Sequence, residues 1–355
     1  MEVSGFWEGK RVFLTGHTGF KGSWLSLWLS RMGAEVHGYA LEPNTNPALF
    51  QQMGLEQDID HYIGDVRDAE RLNARMRETR PEIVFHLAAQ PLVLSSYEDP
   101  LSTWKINVMG SINLLEALRR LENRCVVIMV TSDKVYENRD WSFAYREIDR
   151  LGGHDPYSSS KAGMELAIES WRRSFFADKL PVRMATARAG NVIGGGDWAS
   201  DRILPDIARA LMADRPIAIR NPNATRPWQH VLEPLSGYLR LAEKLYVEES
   251  QSLESAFNFG PESQDCRAVR ELVETVLDIW PGSWRDVSNP MAPHEASMLA
   301  LSIDKARLDL AWTPRWRFVD AVRHTIDWYQ SVNRGTPARD ISLAQIHAYT
   351  AARNR

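Results

Sequence analysis

Thr15-Gly16-His17-Thr18-Gly19-Phe20-Lys21-Gly22 follows a strand-like run at residues 11–14 and opens onto a helical stretch at 23–32. Glycines at three-residue spacing let a strand turn tightly into a helix whose free N–H groups point outward, an arrangement that accepts a pyrophosphate. Such spacing has meaning only between a strand and a helix, and that is where it stands. The stretch predicts the first βα turn of a dinucleotide-binding sheet. Gly16, His17, Gly19, Phe20, Lys21 and Gly22 are the expected cofactor-binding residues.

Outward from this turn, strand-like runs at 35–40, 61–63, 83–87, 126–130 and 182–187 alternate with helical patterns at 69–79, 100–121 and 157–176. That alternation predicts an α/β fold, a Rossmann-type doubly wound parallel sheet. After Gly190 the texture changes, because Gly194-Gly195-Gly196 and Pro205, Pro216, Pro222 and Pro227 break the chain into shorter elements. The expected division is an NAD(P)-binding domain over 1–189 and a smaller C-terminal α/β substrate-binding domain over 190–355. Part of 228–262 is expected to rejoin the first domain, with the run 256–259 returning to the sheet.

The chain has 355 residues, 44% of them hydrophobic and 25% charged, the balance of a globular protein with a large core. A formal net charge of −4 argues against a nucleic-acid partner. The two cysteines, Cys125 and Cys266, have no CxxC or His-rich neighbourhood, so neither a disulfide framework nor a metal site is expected and a reducing cytoplasm fits. The N-terminus has no basic segment followed by an apolar one, and the most apolar early helix is too short for a bilayer, so no membrane association is expected. Most of the thirteen tryptophans are expected in the core or at subunit contacts.

Thr131-Ser132-Asp133-Lys134 follows the apolar run 126–130, which puts a hydroxyl, a carboxyl and an ammonium at a strand's C-terminal end. Downstream, Tyr157 and Lys161 stand four residues apart, one turn along one helix face. A phenol of pKa near 10 is a poor base at neutral pH, and a neighbouring ammonium favours the phenolate. Ser132, Tyr157 and Lys161 therefore make a set for oxidising an alcohol, and Asp133 with Lys134 a second acid/base pair. Gly64-Asp65-Val66 ends the third strand where such folds meet an adenine ring. Ala40 stands where many NAD-binding sheets carry a ribose-binding acid, with Glu42 two residues on. No arginine pair suits a 2′-phosphate, so NAD is expected rather than NADP.

These motifs, with His86-Leu87-Ala88-Ala89-Gln90-Pro91, Ala189 to Trp198, Arg226-Pro227-Trp228-Gln229-His230-Val231 and His294-Glu295-Ala296, resemble the extended short-chain dehydrogenases/reductases, specifically the nucleotide-sugar 4,6-dehydratases. Within that group the chain most resembles the members that act on CDP-glucose. The resemblance implies a lyase that oxidises a hexose at C4, eliminates water across C5 and C6, and reduces C6, with no net use of NAD. It adds Ala88 and Gln90 to the cofactor residues, alongside Asp65, Val66, Tyr157 and Lys161. Asp133 is the implied acid for the C6 hydroxyl. Lys134 replaces the glutamate that more familiar dehydratases carry as the C5 base, and it acts either as that base or as a charge that stabilises the enolate. Arg226 is expected to clamp phosphate, helped by Asn191 and Arg202. Trp228, His230 and His294 are expected at the substrate or, equally, in packing. Also implied are a homodimer paired through the helix ending near Leu121 and the Tyr157 helix, and deoxysugar synthesis for bacterial surface polysaccharides such as lipopolysaccharide O-antigen. The rival enzymes are a C4 epimerase, which needs no Asp133–Lys134 pair, and a GDP-mannose-type dehydratase.

Overall fold

The computed structural model describes residues 5–176, 181–289 and 298–352. Strands β1 (Arg11–Thr15), β2 (Glu35–Ala40), β3 (Asp60–Ile63), β4 (Ile83–His86), β5 (Cys125–Val130) and β6 (Val182–Arg188) alternate with helices. The helices of this half are α1 (Phe20–Arg31), α2 (Leu49–Gln52), α3 (Ala69–Thr79), α4 (Val93–Glu98), α5 (Pro100–Trp104), α6 (Gly110–Leu118) and α7 (Pro156–Trp171). Further along come the short strands β7 (Val192–Ile193), β8 (Ile217–Ile219), β9 (Thr225–Pro227), β10 (Gln229–His230), β11 (Ala256–Asn258), β12 (Cys266–Ala268) and β13 (Trp284–Asp286). They are interleaved with α8 (Ile203–Met212), α9 (Leu232–Val247) and α10 (Val269–Ile279), and α11 (Asp304–Leu310), α12 (Phe318–Asn333) and α13 (Ala338–Ala351) close the chain.

Seven strands form one sheet in the order β11-β6-β5-β4-β1-β2-β3, every pair parallel. The order reverses between β1 and β4, and ligands of such sheets bind at the strand ends beside that point. Alternation along β5 explains why both faces are covered. Val126, Ile128 and Val130 enter one core with Trp24, Leu235 and Tyr238. Cys125, Val127 and Met129 enter the other with Leu114, Leu118, Met164 and Ile168. β11 pairs with β6 as Ala256–Thr186, Phe257–Ala187 and Asn258–Arg188, so the run at 256–259 does return to the sheet. A third core lies wholly among later residues, with Ile207 and Leu211 of α8 against Leu272 and Val276 of α10 and Val322 and Ile326 of α12. Trp7, Trp24 and Trp328 are among the largest fully buried side chains.

The stretch 100–121 is not the single regular helix that its pattern predicts. Between α5 and α6, residues Lys105–Met109 widen into a π-helical turn. Asn107 in that turn spends its side chain on the backbone after β4, accepting from the Gln90 amide at 2.8 Å and donating to the Gln90 carbonyl at 3.1 Å. Its Nδ2 also reaches Ser160 Oγ at 2.9 Å, tying the turn to α7. π turns recur at functional sites because they re-aim a side chain within a helix.

Candidate active site

A cleft of about 1030 Å³ runs along the C-terminal ends of the strands. At one end lies the glycine turn. Gly16 has φ +77°, and a Cβ there would sit 2.7 Å from the Ala88 amide; at Gly22 one would sit 2.1 Å from the Gly16 carbonyl. Only glycine fits either place. The helix these residues lead into has no side-chain cap and no acid in its first turn, so its positive end faces the cleft uncompensated. Gly16, Gly19, Phe20, Lys21, Gly22, Val66 and Ala88 all line this end, as does Glu42 beyond β2. Asp65 lines it too, its carboxylate gripped by Arg67 with Nη2–Oδ2 at 2.6 Å and held below the ordinary carboxylate range by that partner. The cradle fits a dinucleotide pyrophosphate.

Beneath the cradle, Thr15 Oγ1 accepts from the amides of Leu87 and Ala88 at 3.1 and 3.2 Å. Its own proton then goes to His86 Nδ1 at 2.7 Å, leaving His86 Nε2–H to donate to Ser111 at 3.0 Å and Ser111 to the Asn107 carbonyl at 2.7 Å. Burial and the nearby Lys161 push the His86 pKa down to about 3, which keeps the imidazole neutral and suits this chain of bonds.

Tyr157 and Lys161 enter the cleft from the first turns of α7. Asp155 caps that helix, accepting from the Ser158 amide at 2.9 Å and the Ser158 hydroxyl at 2.5 Å, with Pro156 at the first position. Ser96 Oγ accepts from the Tyr157 amide at 3.1 Å. Burial raises the Tyr157 pKa to about 12, opposed by the Ser132 hydroxyl and, more weakly, by Arg202. The expected lowering by Lys161 is not the governing influence, because Lys161 is itself pushed down to about 7 by burial and by Lys21. Lys21 falls to about 8, through burial and then Arg202.

Ser132, Asp133 and Lys134 face Tyr157 across the same cleft. Ser132 caps a short helical turn over Asp133–Val135, accepting from the Lys134 amide at 3.2 Å, and donates to Asp133 Oδ1 at 3.0 Å. Asp133 Oδ2 is buried with no hydrogen-bond partner among the described residues. An orphaned buried carboxyl oxygen is costly, and its presence at the cleft points to a reacting partner.

Across from these, Asn191, Arg202, Arg226 and Trp228 line the cleft. Asn191 adopts φ +48°, an uncommon backbone for a non-glycine residue. Arg202 is paired with buried Asp197 at 2.8 Å, and Trp228 Nε1 donates to the Arg267 carbonyl at 3.0 Å. Asp197 was not expected at the site; its signal is its place at the end of the Gly194-Gly195-Gly196 tract. Trp328 and Tyr329 hold that tract from below. A Cβ on Gly195 would meet the Trp328 ring at 1.9 Å, and the Tyr329 hydroxyl donates to the Asp197 carbonyl at 2.5 Å.

Three expected site residues lie elsewhere. The His17 ring turns away from the cleft into space left by Gly38, where a Cβ would clash at 2.6 Å, and meets His61 Nδ1 at 2.6 Å. Gln90 folds onto its own loop, with Nε2 donating to Leu92 and Thr103 and Oε1 accepting from the Leu92 amide. His230 is a core histidine set edge-on to Trp24 and Trp316, its Nδ1 accepting from the Leu232 amide. In each case a polar ring or amide held in packing or on its own loop looks, in sequence, the same as one aimed at a ligand. His294 lies outside the described residues. Among the described residues no cluster of His, Cys, Asp or Glu is placed to hold a metal ion, and no helix is long and apolar enough to cross a membrane.

A doubly wound parallel sheet, a glycine cradle at its switch point and a Ser–Tyr–Lys set in the same cleft define an extended short-chain dehydrogenase/reductase. Residues 13–325 match the family described as GDP-mannose 4,6 dehydratase, and the chain belongs to that family. It is 47% identical to the CDP-glucose 4,6-dehydratase of Salmonella typhimurium, over 99% of each chain. Among solved structures it shares the fold of UDP-glucose 4-epimerase from Thermotoga maritima, solved with UDP-glucose (TM-score 0.79, 20% identity, 90% of this chain and 99% of that one). It likewise shares the fold of dTDP-glucose 4,6-dehydratase from Bacillus anthracis in complex with NAD (TM-score 0.75, 18% identity, 90% and 96%).

Proposed function

We propose that the protein is a CDP-glucose 4,6-dehydratase that uses NAD and forms CDP-4-keto-6-deoxy-D-glucose and water. The observation that carries this reading is the convergence, in one cleft, of Tyr157 and Ser132 with Asp133, whose Oδ2 is buried and unbonded. Likeness to the Salmonella enzyme supports the choice of CDP-glucose. Gly16, Gly19 and Gly22 would hold the pyrophosphate of NAD, and Asp65, Val66 and Glu42, which line the same end of the cleft, would hold its adenosine. When bound, NAD supplies the reversible hydride acceptor for C4 and donor for C6.

The residues then divide the proton work. Ser132 orients the C4 hydroxyl and Tyr157 takes its proton. Burial keeps the Tyr157 phenol protonated, so it would take the C4 proton only while passing its own proton on, and Lys161, pushed down to about 7 by burial and by Lys21, would be the acceptor. The C4 ketone acidifies C5. Either Lys134 removes the C5 proton, or it neutralises the enolate while a water takes that proton; Asp133 protonates the C6 oxygen as its bond to carbon breaks and water leaves. A proton returned to C5 completes the product. Arg226 and Arg202 hold the diphosphate, with Asn191 and Trp228 beside them. His294 remains a proposed substrate residue.

Residues 1–189 hold the cofactor, joined by part of 228–262, and 190–355 hold the nucleotide sugar. The working form is a cytoplasmic homodimer, supported by exposed Leu101, Trp104 and Met109 beside exposed Leu166 on the neighbouring helix. Its setting is deoxysugar synthesis for surface polysaccharide such as lipopolysaccharide O-antigen.

Mass spectrometry of the protein incubated separately with CDP-, dTDP-, UDP- and GDP-hexoses tests the reading. Loss of one water from CDP-glucose alone is the expected result. Isomerisation without change of mass would make the enzyme an epimerase, and dehydration of GDP-mannose alone would change the substrate.

A further inference from the structure

Tyr157, Lys161 and Glu165 follow one another at four-residue steps along α7, so a phenol, an ammonium and a carboxylate share one helix face. Glu165 has no part in the proton transfers above, yet it is 4% exposed and its oxygens are saturated. Oε1 accepts from Thr131 Oγ1 at 2.6 Å and Arg188 Nε at 2.9 Å. Oε2 accepts from Thr186 Oγ1 at 3.1 Å and Arg188 Nη2 at 2.9 Å. Arg188 ends β6 and is 3% exposed; its Nη1 donates to the Tyr136 hydroxyl at 2.9 Å. Tyr136 in turn donates to Asn258 Oδ1 on β11 at 2.7 Å.

One buried ion pair thus holds both ends of the segment 131–136: Thr131 through the carboxylate and Tyr136 through the guanidinium. Between those anchors lie Ser132, Asp133 and Lys134. The same carboxylate stands one turn beyond Lys161. A buried ion pair contributes little net stability compared with apolar side chains of the same volume, so stability alone does not account for it. What it supplies is geometry, since a forked arginine–carboxylate pair fixes distance and orientation together.

We propose that Glu165 and Arg188 are positioning residues that hold the Asp133–Lys134 segment in register with Tyr157, and that the elimination of water depends on them more than the oxidation of C4 does. The oxidation set lies largely on α7 itself, whereas the elimination pair reaches α7 through this network. The inference rests on the dehydratase reading.

The test uses the full-length protein loaded with NAD, in excess over CDP-glucose, quenched through a single turnover. Mass spectrometry separates the oxidised sugar, lighter by two hydrogens, from the product, lighter by one water. Glu165→Gln keeps the shape but leaves Arg188 buried without its counter-charge, and that variant can fail to fold. Thr131→Val and Tyr136→Phe each delete one hydroxyl and keep the ion pair. In these two the ratio of oxidised to dehydrated sugar is expected to rise about tenfold, with KM and melting temperature close to wild type. A merely structural role would lower both species together and leave the ratio alone. Wild-type partitioning in both hydroxyl variants overturns the proposal while the dehydratase reading stands. A wild-type protein that releases no dehydrated sugar overturns both.

Discussion

A methyl group at position 190 would lie 1.9 Å from Cγ of Asp133. Gly190→Ala must therefore push the acid out of place, and a displacement on the order of 1 Å costs roughly 100-fold in rate. Steady-state dehydration of CDP-glucose is expected to fall by about that factor while the protein stays folded by circular dichroism. Lys161 gives a prediction in pH. Its folded pKa of about 7 lies below the ordinary 10.5, so between those values the unfolded chain binds the extra proton. Stability then rises with pH from 7 to 9, by at most about 1.4 kcal/mol per pH unit from this group. Lys21 adds to the rise above its pKa of about 8. Lys161→Met is expected to flatten the rise, read as melting temperature at pH 7 and 9. Tyr157 and Lys161 were legible because helical periodicity alone puts them on one face. Asp197 and Glu165 were not, because their partners Arg202 and Arg188 are reached only after the chain has folded.

Helix α7 carries Tyr157 and Lys161, and its start depends on one carboxylate. Asp155→Ala removes both bonds to Ser158, a capping loss of about 1 kcal/mol. For a chain of this size that appears as a melting temperature lower by about 1–2 °C. Elements were legible where apolar period and boundary residues agree: β2 and α3 occupy the expected spans. They were hidden where a local side chain rewrites the backbone. The π turn at Lys105–Met109 keeps a helical pattern in sequence, and only Asn107's bonds to Gln90 and Ser160 show why it widens. Helix α4, six residues between Pro91 and Pro100, is too short for periodicity to reveal.

For the whole molecule, the run of α5, the π turn and α6 lies along α7, and the two leave Leu101, Trp104, Met109 and Leu166 outward. Replacing Leu101 and Leu166 together by glutamate is expected to convert the proposed dimer to a monomer, measured by light scattering at equal concentration. An unchanged mass would remove this face as the subunit contact.

The return of β11 to the sheet has a consequence for synthesis. When residues 1–250 have left the ribosome, β6 is an open sheet edge and the Tyr136 hydroxyl lacks its Asn258 acceptor. A nascent chain paused there carries an unpaired strand, the kind of edge that recruits other chains. A gene fragment ending at residue 250 is therefore expected to yield insoluble protein, while one that includes 258 supplies β6 with its partner. Exchanging sugar-binding lobes between relatives then requires two crossovers, with this three-residue strand travelling alongside its host sheet.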